Sequence, residues 1–505
     1  MARQQRLLRP RLRLRDSRDQ RGTRRCDDTR RGFSSRSGRN GLAPRSMRPV
    51  LIPARSLAAY ALAFFAACAM AVQPVSAQSI LRDAETEELL RDMAYPLIEA
   101  SELEPENVEI VLINDNSINA FVAGGQVVYV HAGLLNAAET ANEVQGVLAH
   151  ELGHITAGHV VRFNERTSAA QGITILSLLL GVGAALAGAG DAALGAVLAG
   201  QQAAVGSFLA FNRNQEAATD LAGARYLSGA GISGKGMLDF FDRLRDMEIR
   251  RGFSQSEAAS YGRTHPLAGD RIQTLRGLLQ EDASWDTPPD PELQERFLAA
   301  QAKLYGYLAE PQRVMQRYPE SDQSVPARYA RAYAYHKDAQ VEKAVAEADS
   351  LLGTEPNNPY FLELKGQILL ESGRPADALQ PLRRAVDLTL GQPLIAGMFG
   401  HALIATEDEA NFDEAERVLR SAVSRDRFNP FAWYQLGVVY AARGDIPRAR
   451  LASAEQQVMS RRYPEALRSA QAAEAGLPVG SPDWIRAQDI SLQARAALER
   501  IRDSR

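Results

Sequence analysis

The sequence predicts an α+β domain built on a small sheet, followed by an all-α solenoid of helix pairs. Three observations predict it. Short runs rich in Val and Ile between residues 107 and 133 give way to helical spacing. A Pro- and Asp-rich stretch, "SWDTPPDPEL" at 284–293, marks a boundary. Beyond it, similar segments return after 34, 37 and 34 residues.

A chain of 505 residues holds two or three globular units, and 45% hydrophobic with 24% charged residues describes a folding chain. The net charge of −3 conceals two populations. Residues 1–50 carry 16 Arg against four Asp, whereas from Gln78 onward 41 basic residues face 57 acidic ones, a net of −16. So acidic a body argues against nucleic acid as a partner.

The switch between the two populations falls at a targeting signal. Arg48 and Arg55 precede an apolar run from Ser56 to Val72, and Val75-Ser76-Ala77 offers small residues for cleavage. Residues 47–77 are expected to be a secretory signal peptide cut after Ala77; an uncleaved membrane anchor is the alternative. Residues 1–46 are then a disordered Arg-rich tail or the product of a misplaced start ahead of Met47. Both cysteines, Cys26 and Cys68, precede the cut. A metal in the mature chain must therefore be held by His and carboxylate.

The first globular unit is expected over 78–283. Charged residues and Leu or Met alternate at helical spacing over 83–104. "NVEIVLIN" (107–114), "SINAFVA" (117–123) and "QVVYVHAG" (126–133) read as strands, with Gly124-Gly125 turning a hairpin. A helix follows, opened by a capping box of Thr140 and Glu143. Apart from Asp191, residues 167–212 carry no charge. They are read as an apolar helical hairpin that packs over the domain or makes peripheral contact with a membrane; true spans are the alternative. Residues 284–324 are a linker and helical connector, and 325–505 the repeats. Ala344, Ala378, Ala415 and Ala449 mark successive repeats, and Trp433, Leu436, Gly437, Tyr440 and Gly444 complete the tetratricopeptide signature around the last.

The chemistry concentrates in "HELGHITAGH", residues 150–159. His150 and His154 are four apart on a helix, so they share a face and can hold one metal ion, with Glu151 beside the open position as a base. Gly153 permits close backbone approach. His159 lies about 180° around a continued helix from His150 and about 140° from His154, which excludes it as a ligand and leaves it on the surface or behind the ligands. The candidate third ligand is Glu216 in "NQEAATDLAG", with Asp220 four residues on to steady a ligand histidine. The alternative is that both carboxylates face solvent.

Taken together, HELGH with the later Glu216 and Asp220, the strand Asn119-Ala120-Phe121, "RTHPLAGDR" at 263–271 and the repeats resemble the HtpX/BepA-type zinc metallopeptidases, in their periplasmic BepA-like branch. The resemblance implies a zincin-like (gluzincin) peptidase domain with one Zn2+ per chain, ligated by His150, His154 and Glu216, and Glu151 as general base. Asn119, Ala120 and Phe121 would pair with an extended substrate. His265 would stand near the active site, to stabilise an oxyanion or to block the open metal position at rest; a structural place in a loop is its alternative, and His131 is read as structural. The function so implied is a periplasmic endopeptidase in quality control and assembly of envelope proteins. Its repeats would recruit unfolded or misassembled envelope proteins, or the outer-membrane assembly machinery. Two other readings stand beside it: a repeat-based chaperone or scaffold with minor protease activity, and a membrane-embedded protease.

Overall fold

Asp83 starts the first helix, α1 (Ala84–Ala100), by accepting the Thr86 amide on its side chain. The apolar stripe Leu89, Leu90, Met93, Leu97 and Ile98 is buried. The computed structural model describes residues 79–159, 213–251, 265–267 and 269–503, all within one unit, Ala77–Arg505. The segment read as a signal peptide, the Arg-rich stretch before it and residues 167–212, read as an apolar hairpin, lie outside the described residues.

Four strands form the sheet: β1 (Ser79–Ile80), β2 (Glu109–Asn114), β3 (Ala120–Ala123) and β4 (Val127–His131), in the order β1-β2-β4-β3. The two-residue β1 is too short for sequence periodicity to detect. β2 runs parallel to β4, while β3 pairs antiparallel with β4, Phe121 opposite Tyr129. Gly124 and Gly125 turn that hairpin at φ 67° and 110°, which L side chains adopt only with strain. This order leaves β3 at the edge of the sheet.

Against the sheet lie α2 (Ala132–Ala137) and α3 (Ala141–Thr156). Thr140 caps α3 by accepting the Glu143 amide. The reciprocal bond of the expected box is shifted by one residue, since Glu143 accepts from the Glu139 amide at 2.7 Å. Helix α4 covers 213–229, followed by α5 (Lys235–Arg251) and α6 (Gly269–Gln280). Helix α7 (Pro291–Leu308) fills the segment read as a connector. Its Phe297, Ala300 and Leu304 join the core of the first unit, while Ala299 packs with Tyr329 and Tyr333 of the repeats.

After α8 (Pro311–Arg317) the helices alternate as antiparallel pairs: α9 (Val325–Lys337) with α10 (Val341–Thr354), α11 (Pro359–Glu371) with α12 (Pro375–Leu388), α13 (Pro393–Ala405) with α14 (Phe412–Arg425), and α15 (Pro430–Ala442) with α16 (Ile446–Met459). A further pair, α17 (Tyr463–Gly476) and α18 (Pro482–Asp503), closes the series. Ala344, Ala378, Ala415 and Ala449 are buried at equivalent places in the second helix of four pairs, where only a small side chain lets neighbouring helices cross closely. The N-terminus of α1 docks on the repeats: Tyr329 donates to Glu85 at 2.7 Å and Arg82 pairs with Asp426 at 3.0 Å. Among the described residues, no helix is long and apolar enough to cross a membrane.

Candidate metal centre and active site

Two helices carry the candidate ligands, and glycines set their separation. His150, Glu151 and His154 lie on α3, and Glu216 and Asp220 on α4. A Cβ at Gly153 would stand 2.9 Å from the Thr219 carbonyl oxygen and Cγ2, and one at Gly223 3.1 Å from the His150 amide nitrogen. Closer than ordinary van der Waals contact, this approach is what brings Glu216 over the histidine face.

His150, His154, Glu216 and His265 offer ligand atoms that all lie within 4.8 Å of one another. His150 Nε2 is 3.2 Å from His154 Nε2 and 3.4 Å from Glu216 Oε2, and His154 Nε2 is 3.5 Å from Glu216 Oε1. His265 Nδ1 is 3.2 Å from His150 Nε2 and 3.1 Å from Glu216 Oε2. A tetrahedral ion with bonds of about 2.0–2.2 Å requires ligand atoms about 3.3–3.6 Å apart. The donor set fits a single metal ion of that geometry.

The electrostatics agree with lone pairs aimed at one point. Burial opposes a charge on His150, but Asp220 and Glu216 outweigh it and push its pKa up to about 9. Burial, with His150 and His265 beside it, holds His154 well below the usual imidazole range. Burial likewise opposes ionisation of Glu216, yet His265 and His150 hold it well below the carboxylate range. Buried imidazoles and carboxylate so opposed are relieved by a shared cation.

Residues 81–279 match the model of Peptidase family M48. The chain carries an M48 peptidase domain. It is a metalloendopeptidase. Over 400 residues, 77% of this chain and 79% of the relative, it is 24% identical to the Beta-barrel assembly-enhancing protease of Yersinia pestis. Metalloprotease LoiP of Escherichia coli is 29% identical over 182 residues, 35% of this chain and 65% of that protein. Among solved structures, the TPR protein YrrB is 21% identical with a TM-score of 0.28, covering 35% of this chain and 91% of that one.

Around this cluster further side chains hold the candidate donors in place. His150 Nδ1 donates to Asp220 Oδ1 at 3.0 Å, as expected of a carboxylate that steadies a ligand histidine. Arg271 grips both carboxylates: it donates to Asp220 at 2.9 Å, lies 3.1 Å from Glu216 and also donates to the Pro266 carbonyl at 2.8 Å. It stands inside "RTHPLAGDR", but nothing in its spacing announces a contact across to α4. His154 Nδ1 is 3.0 Å from His159 Nδ1. His159 would lie on the far side of the helix only with a longer α3. The helix stops at Thr156, and Gly158, at φ 64°, turns the chain back so that His159 is buried behind His154. His159 is outside the ligand cluster and, of the two places left to it, lies behind the ligands and not on the surface. Gly158 was the legible signal, since glycine in the left-handed region commonly ends a helix.

Glu151 is fully buried, and neither of its carboxylate oxygens has a hydrogen-bond partner among the described residues. Burial raises its pKa, partly offset by His265 and His150. A buried carboxylate without hydrogen bonds costs stability, so the position is explained by chemistry rather than folding. His265 is also buried; its Nε2 lies 3.6 Å from Glu151 and donates to the Ala120 carbonyl at 3.3 Å. Edge strand β3 thus reaches the site through Ala120. The Asn119 carbonyl is engaged by the His131 amide at 3.0 Å, and Phe121 stacks on Tyr129 with centroids 5.0 Å apart. His131 is buried, held by Ser117 at 2.8 Å on Nδ1, away from the cluster.

Proposed function

We propose that this chain is a zinc-dependent endopeptidase of the periplasm that acts on unfolded or misassembled envelope proteins, outer-membrane β-barrels among them. Its tetratricopeptide repeats recruit those substrates or the machinery that assembles them. One observation carries the reading: ligand atoms of His150, His154, Glu216 and His265 within 4.8 Å of one another, beside a buried carboxylate that has no hydrogen-bond partner among the described residues. The name of the Yersinia pestis relative supports the substrate class, because the similarity spans 79% of that protein's length. The apolar run from Ser56 to Val72, followed by small residues up to Ala77, supports export.

His150, His154 and Glu216 hold the ion, and a donor set of two imidazoles and a carboxylate with no thiol suits zinc. Bound there, zinc supplies a Lewis acid that polarises the scissile carbonyl and acidifies water. Glu151 accepts the proton of the attacking water on its carboxylate and hands it to the leaving amine. Asp220 and Arg271 keep His150 and Glu216 oriented. An extended substrate pairs with the open edge of β3. His265 fills the fourth corner and engages the Ala120 carbonyl in the resting chain, so its departure uncovers both the open position and the strand.

Metal analysis with a proteolysis assay tests the reading. Purified protein should carry about one zinc per chain and cleave an unfolded outer-membrane β-barrel. Glu216→Ala should abolish both. A zinc-free, active parent, or a Glu216→Ala chain that keeps its ion, would overturn it.

A further inference from the structure

The repeats differ in charge from the domain they follow. Residues 412–505 carry 15 Arg against 12 Asp and Glu, whereas 78–411 carry 26 basic residues against 45 acidic ones. Within this basic end, α14, α15, α16 and α18 enclose a cavity of about 270 Å³. Arg420, Arg427, Arg448 and Arg486 line it, against two acids, Glu455 and Asp483. The acids are already committed. Arg486 donates to both oxygens of the buried Glu455, at 2.6 and 2.8 Å, and Arg448 donates to Asp483 at 2.9 Å. Among the described residues Arg420 has only a distant partner, Glu416 at 3.6 Å, and Glu416 also accepts from Arg443 at 2.9 Å. Arg427 has no ion-pair partner among the described residues. The cavity therefore holds two guanidinium groups in excess, on a body that is otherwise acidic.

Apart from Ser424, its remaining walls are aromatic or aliphatic. Trp433, fixed by donating its indole N–H to the Arg427 carbonyl at 3.0 Å, lines the cavity together with Tyr440, Leu436 and Leu451. We propose that this cavity binds the C-terminus of an extended polypeptide, its carboxylate on Arg420 and Arg427 and its last, apolar side chain against Trp433. The proposal rests on the recruiting role given to the repeats above. A chain terminus bears a carboxylate and a side chain on one Cα, which matches a guanidinium rim over an apolar floor. An Asp or Glu side chain would satisfy the rim and leave the floor uncovered. The volume suffices, since a cavity of about 150 Å³ accommodates a benzene ring. Planar guanidinium groups are the donors best shaped for a carboxylate.

Isothermal titration of the full chain carrying Glu151→Gln, so that the probe is not cut, tests the proposal. The probe is a short uncharged peptide ending in phenylalanine with a free carboxylate, compared with the same peptide amidated. The free acid should bind one per chain, and amidation should weaken it by about tenfold or more, the range of a charge-assisted hydrogen bond. Arg420→Gln and Arg427→Gln, both at exposed positions that the fold tolerates, should each weaken the free acid by a similar factor. Equal binding of acid and amide, no binding of either, or unchanged binding by both Gln variants would overturn the proposal. So would an amidated peptide with an internal glutamate that binds as tightly as the free acid. Cleavage of an unfolded protein is measured alongside on chains with Glu151 intact. Parental cleavage by the Arg variants shows that any failure lies in the cavity and not in the peptidase reading.

Discussion

Replacing Gly153 with alanine should injure the metal site without touching a ligand. A Cβ there would stand 2.9 Å from the Thr219 carbonyl oxygen and Cγ2 and 3.3 Å from Ala222 Cβ. Ordinary contact needs about half an ångström more, and backbone must yield to provide it. Thr219 is less than one turn from Glu216 on α4, so the shift reaches the ligand, whereas metal-site distances tolerate only about 0.2 Å. Two effects on stability oppose each other. Alanine favours the helix by about 1 kcal/mol, and overpacking costs about 1–3 kcal/mol, so a net loss of up to about 2 kcal/mol is expected. Zinc affinity should fall by at least about tenfold, the scale on which displaced support around ligands is felt. Competition with a chelator and thermal unfolding of the apo and loaded chains measure the two quantities separately. Parental zinc affinity together with raised stability would refute the reasoning, because it would show that the α3–α4 separation does not hold Glu216 in place.

Other outcomes follow from the same geometry. His159→Ala should keep about one zinc per chain but lose roughly 10- to 100-fold in affinity, because it frees His154 Nδ1; unchanged chelator resistance would show that the contact does no positioning. Glu363 is buried beside Lys303, Asp83 and Glu85 where α1 meets the repeats, and burial raises its pKa to about 7. A carboxyl whose folded pKa lies above its unfolded value loses stability as pH rises from about 4.5 to 7 and gains nothing beyond, a cost on the order of 3 kcal/mol. Glu363→Gln should therefore raise thermal stability at about pH 8 and make little difference at about pH 4.5; an equal effect at both would contradict the assignment. N-terminal sequencing of protein recovered from the envelope should begin at Gln78, and a chain beginning before Ser56 would refute the cleavage reading.

What the sequence disclosed followed from local patterns. The Val- and Ile-rich runs announced β2, β3 and β4, and Gly124-Gly125 their hairpin. The alanine period announced the helix pairs, because each small residue answers a close crossing that recurs with every repeat. His150 and His154 were legible since four residues on a helix share a face, and Glu216 and Asp220 by the same rule on a second helix. What escaped depended on where a helix stops or on what lies across from it. Past Thr156 the helical wheel no longer applies, because Gly158 reverses the chain and buries His159 behind His154, one of the two places the sequence left open for it. Arg271 meets Glu216 and Asp220 only once α6 packs beside α4. The burial of α7 was hidden by the Pro-rich stretch in front of it, although Asp290 caps it and Phe297, Ala300 and Leu304 share one face. Nor does any period in the sequence reveal that Glu85 meets Tyr329 across 244 residues.

The central claim is that Glu151 moves the proton while His150, His154 and Glu216 hold the ion, and Glu151→Gln tests it most directly. The substitution keeps the shape of a side chain whose oxygens have no hydrogen-bond partner among the described residues and removes only its basicity. Zinc content should stay at about one per chain, thermal stability should barely move, and cleavage of an unfolded β-barrel should fall by at least about two orders of magnitude. Near-parental cleavage with the ion still bound would contradict the account.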